Sequence, residues 1–300
     1  MGLYKNLFKQ TAIYGLATVL PRMLSFLLVR LYTGILPTAE YGEVSIVLSW
    51  MVFFNVVLSY GMETAFFRFY HKEDTSTSEI SQQHKKEVVS TATVSIFWST
   101  ILFLCIALLF QKTLAVLLET DKEYINYAIW ILAFDALVII PFSKLRADQI
   151  PIRYSVLKIS NVVIYLLLNV FLLAILPKLA QANPQGFWSS FYVEDYQIGY
   201  VFLSNLMASL FTFVLFMPHY FQPNWFFNTD LWKKMLHYGW PILFAGLAFG
   251  INEHLDKILL AKWLDPTIAK AAVGAYSACY KIGLFMVLFR TAYTLGIEPF

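Results

Sequence analysis

Charge is what this chain has least of. Only 14% of its 300 residues are Asp, Glu, Lys or Arg, against about 25% in an ordinary soluble domain. A water-borne core cannot hide the 59% of residues that are hydrophobic, so a soluble globular domain is excluded and a polytopic membrane protein is expected. Cysteine is nearly missing too. Cys105 and Cys279 are isolated and make neither a metal site nor a disulfide framework. Both fall in apolar stretches, so buried structural thiols are expected. No phosphate-cradling loop of the P-loop type is present, which argues against ATP as a direct energy source. The first apolar run is too long and too charged for a cleaved secretory signal. No catalytic constellation or cofactor motif is visible, and nothing points to nucleic acid.

What is present is a series of apolar runs. Eight spans are expected, over 11–36, 44–67, 88–110, 125–141, 159–176, 196–217, 238–263 and 271–295, each near the 20 residues or so that cross a bilayer. The connections are short, and Asn183-Pro184-Gln185-Gly186 reads as a turn. With the N-terminus inside, inner segments hold 12 Lys and Arg and outer segments hold 5, so the N-terminus is expected in the cytoplasm. Trp and Tyr near span ends, such as Trp188, Tyr196, Trp225, Trp232 and Trp263, form an aromatic belt.

Five basic residues fall within spans: Arg22, Arg30, Lys257, Lys281 and Arg290. A mid-membrane Arg costs about 2.5–3.5 kcal/mol on insertion scales, so it normally faces protein or water. Arg22 lies near the middle of the first span, on a stripe with Gln10, Tyr14, Thr18 and Ser25 at helical spacing, beside the kink-capable Pro21. Either this helix lines a wet, positively charged cavity, or the stripe is a packing seam with Arg30 snorkelling to an interface. The Arg favours the cavity. Acids within spans include Glu63, Asp135, Glu253 and Asp256. Glu253 precedes Lys257 by four, the better orientation for a helical ion pair. That group is either structural or couples protonation to a conformational change. Gly246 and Gly250 make a small-xxx-small face for close helix approach. Stripes such as Asn55, Ser59 and Glu63, or Thr91, Ser95 and Ser99, or Asn161, Tyr165 and Asn169, read singly as packing seams. Lys281 follows Ser277 by four and can face a cavity.

A weak internal repeat is visible. Leu36-Pro37-Thr38 leading to Tyr41-Gly42-Glu43-Val44-Ser45 resembles Asp265-Pro266-Thr267 leading to Val273-Gly274-Ala275-Tyr276-Ser277. Six spans separate the copies, so both run in one direction, as in transporters built from parallel repeats. The second copy stops early, so at least four further spans are expected beyond Leu295.

The segments "LPTAEYGEVS", "LSYGMETAFFRFY", "KLRADQIPIRY", "WKKMLHYGWPILFAGL", "HLDKILLAKWL" and "VGAYSACYKIG", in this order, resemble the Wzx-like polysaccharide flippases of the MATE and lipid-flippase superfamily. The resemblance covers essentially the whole chain. It implies an all-α, MATE-like helical bundle, of which 1–220 would be an N-terminal six-helix lobe and 221–300 the first two helices of a second lobe. Members typically have 12 to 14 helices. The implied cargo is a polyprenyl-diphosphate-linked oligosaccharide, moved from the cytoplasmic to the periplasmic leaflet of the inner membrane for lipopolysaccharide or capsule synthesis. Its anionic diphosphate suits Arg22, Arg30, Lys281 and Arg290 as headgroup ligands. Glu63, Asp135, Glu253 and Asp256 are the candidates for coupling to Na+ or H+. Polysaccharide-assembly proteins are the implied partners, besides the bilayer itself.

Two other readings compete. A cation-coupled multidrug exporter of the same superfamily would prefer an acidic, aromatic cavity, and Arg22 argues against it. A membrane-embedded polyprenyl-phosphate glycosyltransferase or polymerase would need clustered carboxylates, or a large outer loop with Arg and His. His71, His84, His219 and His237 lie instead in inner segments.

The charge bias predicts that 68–87 is cytoplasmic and 177–195 periplasmic. Single cysteines at Ser78 and Ser189, probed on intact cells with an impermeant thiol reagent, check this. Labelling is expected at Ser189, and labelling at Ser78 alone would refute the orientation.

Overall fold

The computed structural model describes residue 20 and residues 23–24, 26–71, 78–221 and 225–297. Among the described residues there is no strand, and the protein is an all-α polytopic membrane protein. Its helices are α1 (Phe26–Ile35), α2 (Thr38–Ser59), α3 (Met62–Tyr70), α4 (Ser78–Leu109), α5 (Gln111–Leu117) and α6 (Lys122–Leu137). There follow α7 (Ile139–Ala147), α8 (Pro151–Val170), α9 (Leu176–Ala182), α10 (Gln197–Tyr220), α11 (Thr229–Trp263) and α12 (Pro266–Ile297).

Five stretches are long and apolar enough to cross a membrane: Thr38–Tyr70, Ile80–Leu109, Lys122–Ala147, Pro151–Ala182 and Gln197–Tyr220. They coincide with the second to sixth expected spans. Most of the first expected span, with its stripe of Gln10, Tyr14, Thr18, Arg22 and Ser25, lies outside the described residues. Helices α11 and α12 have 35 and 32 residues, about 50 Å at 1.5 Å per residue. That is length enough to cross.

Several helix breaks have a local cause. Between α2 and α3 the chain passes through two left-handed residues, Tyr60 (φ 33°) and Gly61 (φ 72°). A Cβ on Gly61 would lie 2.3 Å from the Gly239 carbonyl oxygen, so this position needs glycine for both its dihedral and its neighbour. The break interrupts the Asn55–Ser59–Glu63 stripe, which is therefore not one helical face. Between α6 and α7, Pro141 has no N–H to give the Leu137 carbonyl four residues earlier. The Tyr220 hydroxyl donates to that carbonyl instead, as a backbone acceptor in hydrocarbon requires. A π-turn over Phe171–Ile175 precedes Pro177 in the same way. Entry points are also set locally. Asn228 Oδ1 caps α11 by accepting from the N–H of Asp230 and Leu231 at 3.1 and 3.0 Å. Asp265 caps α12, and donation from the Thr267 hydroxyl and N–H holds its carboxyl below the usual carboxylate range. The turn at 183–186 closes as expected, with Gly186 N–H donating to the Asn183 carbonyl at 2.9 Å.

The bundle packs around α2. Gly246 and Gly250 of α11 lie against Val56 and Phe53, where added Cβ atoms would sit 2.9 and 3.4 Å from those side chains. The small-xxx-small face thus finds its partner in α2, running antiparallel to it. At the other end of α2 the two glycines aligned by the sequence repeat meet. A Cβ on Gly42 would fall 1.7 Å from the Lys270 carbonyl oxygen, and one on Gly274 would fall 2.0 Å from the Thr38 carbonyl oxygen. Each glycine faces the residue four before the other, a near-symmetric crossing of α2 and α12. Beside it, Lys270 Nζ pairs with Glu43 Oε2 at 2.8 Å, and the Thr120 hydroxyl donates to Glu43 Oε1 at 2.5 Å.

Several polar stripes are packing seams. Tyr32 of α1 donates to Asn169 Oδ1 at 2.8 Å and meets Tyr165 Oη at 2.9 Å. Asn161 of α8 donates to the Ala208 carbonyl and to Thr212 of α10. Ser95 of α4 receives Trp232 Nε1 at 2.8 Å and contacts Tyr60 Oη at 2.7 Å. Such interhelical bonds contribute about 0.6 kcal/mol each on average in a bilayer. The two cysteines depart from expectation. Cys105 and Cys279 are both exposed, because an apolar stretch in a membrane protein has a lipid face as well as a protein face.

Gly42→Ala should lower the melting temperature of the detergent-solubilised protein, since overpacking a tight contact typically costs about 1–3 kcal/mol. Gly34→Ala, where an added Cβ meets nothing within 4 Å, is the control and should melt like wild type. Equal melting of both variants would refute the tight crossing.

Candidate functional site

Helix α11 carries its charges one turn apart because Glu253 and Lys257 are four residues apart on the helix. Lys257 is only 5% exposed, and a buried ammonium must find acceptors. It finds Asp256 Oδ1 at 3.2 Å and the Glu253 carbonyl oxygen at 3.0 Å. The expected Glu253–Lys257 ion pair is therefore replaced by an Asp256–Lys257 pair. The Glu253 carboxylate is held from the other helix, because Tyr280 of α12 donates to Glu253 Oε2 at 2.6 Å. Tyr276, one turn earlier, donates to Asp256 Oδ2 at 2.5 Å. The two tyrosine rings stack with centroids 6.1 Å apart, and Lys257 Nζ lies 4.0 Å from the Tyr280 centroid. Two carboxylates, an ammonium and two phenols thus form one network between α11 and α12.

Lys281 follows directly. Its Nζ lies 5.7 Å from the centroid of Tyr41 on α2, and it feels the charge of Lys257. The Tyr41 hydroxyl and the Ser277 hydroxyl, one turn before Lys281, are buried and have no hydrogen-bond partner among the described residues. A buried hydroxyl without a partner marks a place where water or a ligand group belongs. The junction of α2, α11 and α12 therefore offers a cation and orphaned hydroxyls, backed by the paired acids.

Of the eight residues singled out from the sequence, this junction gathers Glu253, Asp256 and Lys281. The others stand elsewhere. Glu63 Oε1 pairs with Arg146 Nη1 at 2.7 Å across α3 and α7. Both side chains are nearly half exposed there, at 46% and 43%, so the pair contributes little to stability. The Arg146 guanidinium also lies 4.8 Å from the Phe67 centroid. Asp135 Oδ1 accepts from Ser209 of α10 at 2.7 Å and lies in the field of Lys158. Arg30 is exposed on α1. Arg22 lies outside the described residues, as does the side chain of Arg290. Tyr41, Tyr276 and Tyr280, which the sequence does not single out as site candidates, also stand at this junction. The four-residue spacing of Tyr276 and Tyr280, matching that of Glu253 and Lys257, was the available signal, but tyrosine near a span end reads first as belt. Among the described residues no group of His, Cys, Asp or Glu is placed to hold a metal ion.

No curated protein and no solved structure matches the chain. The family model described as polysaccharide biosynthesis protein matches residues 7–294, which is nearly all of it. The ordered resemblance of the sequence segments, the membrane-spanning α-helices and this match agree, and the chain belongs to the polysaccharide biosynthesis protein family, the family of Wzx-like polysaccharide flippases.

Proposed function

We propose that the protein flips a polyprenyl-diphosphate-linked oligosaccharide from the cytoplasmic to the periplasmic leaflet of the bacterial inner membrane by alternating access. The family match is the observation that carries this reading, and the junction around Lys281 supports it. A hydrated sugar cannot cross hydrocarbon without a polar path, while a prenyl tail can stay in lipid. The diphosphate needs cations, and Arg supplies a bidentate fork that Lys lacks. Arg22, Arg30, Lys281 and Arg290 form the headgroup set, with the Tyr41 and Ser277 hydroxyls as additional donors beside Lys281. The chain is a transporter and not an enzyme.

With residues 1–220 as the first lobe and 221–300 in the second, the α2–α12 crossing is one of the contacts between lobes, beside that of α11 with α2. Opening the periplasmic side then requires Gly42 and Gly274 to part, and with them the Lys270–Glu43 pair. Coupling to Na+ or H+ acts through Glu253 and Asp256, whose carboxylates are held by Tyr280, Tyr276 and Lys257. Glu63 and Asp135 are secondary candidates on the first lobe.

The test uses the full-length gene in a cell lacking its own flippase, with surface polysaccharide and membrane protein level scored together. Arg22→Met should abolish export while the protein still accumulates, and Arg22→Lys should retain part of it, because the charge stays but the fork is lost. Lys281→Met should lower export by about tenfold, the effect of 1.4 kcal/mol. Normal surface polysaccharide with both Met variants would remove these residues from the mechanism.

A further inference from the structure

A cavity of about 260 Å³ lies between α2, α4, α5 and α6, and every side chain lining it is apolar. It is built by spacing. Phe103, Ile106 and Ala107 of α4, with Phe110 just after its end, follow the i, i+3, i+4, i+7 spacing of one helix face, and α2 over 47–54 and α6 over 125–132 present the same spacing to it. Leu114 of the short helix α5 and Leu118, the residue after it, also line the cavity. Ala107 of α4 and Ala128 of α6 are small where the other lining residues are large, which leaves volume unfilled. Ile106 and Phe110, 50% and 56% exposed, stand at its edge toward the bilayer. Apolar cavities of this kind stay dry and take hydrocarbon.

The cavity does not end in apolar surface. Trp50 and Leu118 also line an adjoining notch whose other walls include Glu119, Lys262 and Lys270. Next to it is an open recess lined by Glu119, Thr120, Asp121, Glu43 and Lys270. Lys270 and Glu43 neutralise one another at 2.8 Å. Lys262, Glu119 and Asp121 make no ion pair among the described residues. Among the described residues that line the notch and the recess, one cation and two carboxylates without an ion pair complement a headgroup that carries both signs, and an anionic headgroup would meet the carboxylates unfavourably. The Trp at the junction marks the depth at which headgroup gives way to chain.

We propose that this composite site binds a zwitterionic phospholipid of the bilayer, with one acyl chain in the cavity, its phosphate at Lys262 and its ammonium at Glu119 and Asp121. The site is separate from the Lys281 junction and stands whether or not the transport reading does. The two acids argue against the polyprenyl diphosphate as its occupant.

The experiment reconstitutes the full-length protein in nanodiscs containing phosphatidylethanolamine with a diazirine in its acyl chain, and maps the labelled peptides by mass spectrometry. Label should concentrate on the peptides holding Phe103–Phe110 and 114–118. Unlabelled phosphatidylethanolamine should compete with it, and phosphatidylglycerol or undecaprenyl diphosphate should compete about tenfold less well. Ala107→Phe, which fills the cavity, should remove the label from these peptides alone. The exposed substitution Glu119→Lys, which leaves the core untouched, should turn the preference toward phosphatidylglycerol. Label spread evenly over all lipid-facing helices overturns the site. Equal competition by phosphatidylglycerol, or by the polyprenyl lipid, overturns the assignment of its occupant.

Discussion

Close approach of backbones along α2 is the constraint on which the other contacts depend. Helices in a bilayer gain little from burying apolar side chains against one another, since lipid is as apolar as Leu, so they associate where small residues let main chains touch. Gly42 meets α12, Gly61 meets α11 at the opposite end of the same span, and Gly246 and Gly250 fill the stretch between. With the backbones this near, Lys270 can reach Glu43, Lys281 can lie over Tyr41, and the tyrosines of α12 can reach the acids of α11. Each is a long-range contact that a wider separation would leave unmade.

Satisfaction of polar groups is the second constraint. An unpaired backbone group in hydrocarbon costs several kcal/mol, so a proline inside a span can be met by a substitute donor or a local rewinding. Tyr220 supplies the donor at Leu137, and the π-turn before Pro177 supplies the rewinding. Charged groups obey the same rule. Lys257 is buried and doubly accepted, Asp135 takes a hydroxyl from Ser209, and Glu63, nearer water, makes do with an exposed pair to Arg146. The buried hydroxyls of Tyr41 and Ser277 have no hydrogen-bond partner among the described residues, and their position beside Lys281 is what makes that junction the candidate site.

Membrane class, the positions of the five apolar spans and the family were all open to sequence reading, because hydrocarbon thickness imposes a run length that is a property of the chain in one dimension. The small-xxx-small face of α11, the turn at 183–186 and the seams on α8 were open for the same reason: helical spacing alone decides which residues share a face. Cys105 and Cys279 show where this stops. Periodicity reports that a helix has faces, but it does not say which face meets lipid.

Tertiary structure decided the partners. Lys257 chose Asp256 over the carboxylate of Glu253, because Tyr280 from another helix had taken Glu253. The Asn55–Ser59–Glu63 stripe lost its meaning at Tyr60 and Gly61, where contact with Gly239 bends the chain. The repeat aligned Gly42 with Gly274, but only the fold brought them face to face. The apolar cavity likewise uses an ordinary i, i+3, i+4, i+7 pattern that would serve a filled core equally well. Whether such faces close or leave room depends on how three helices splay around Ala107, and that is settled by contacts between residues far apart in the chain.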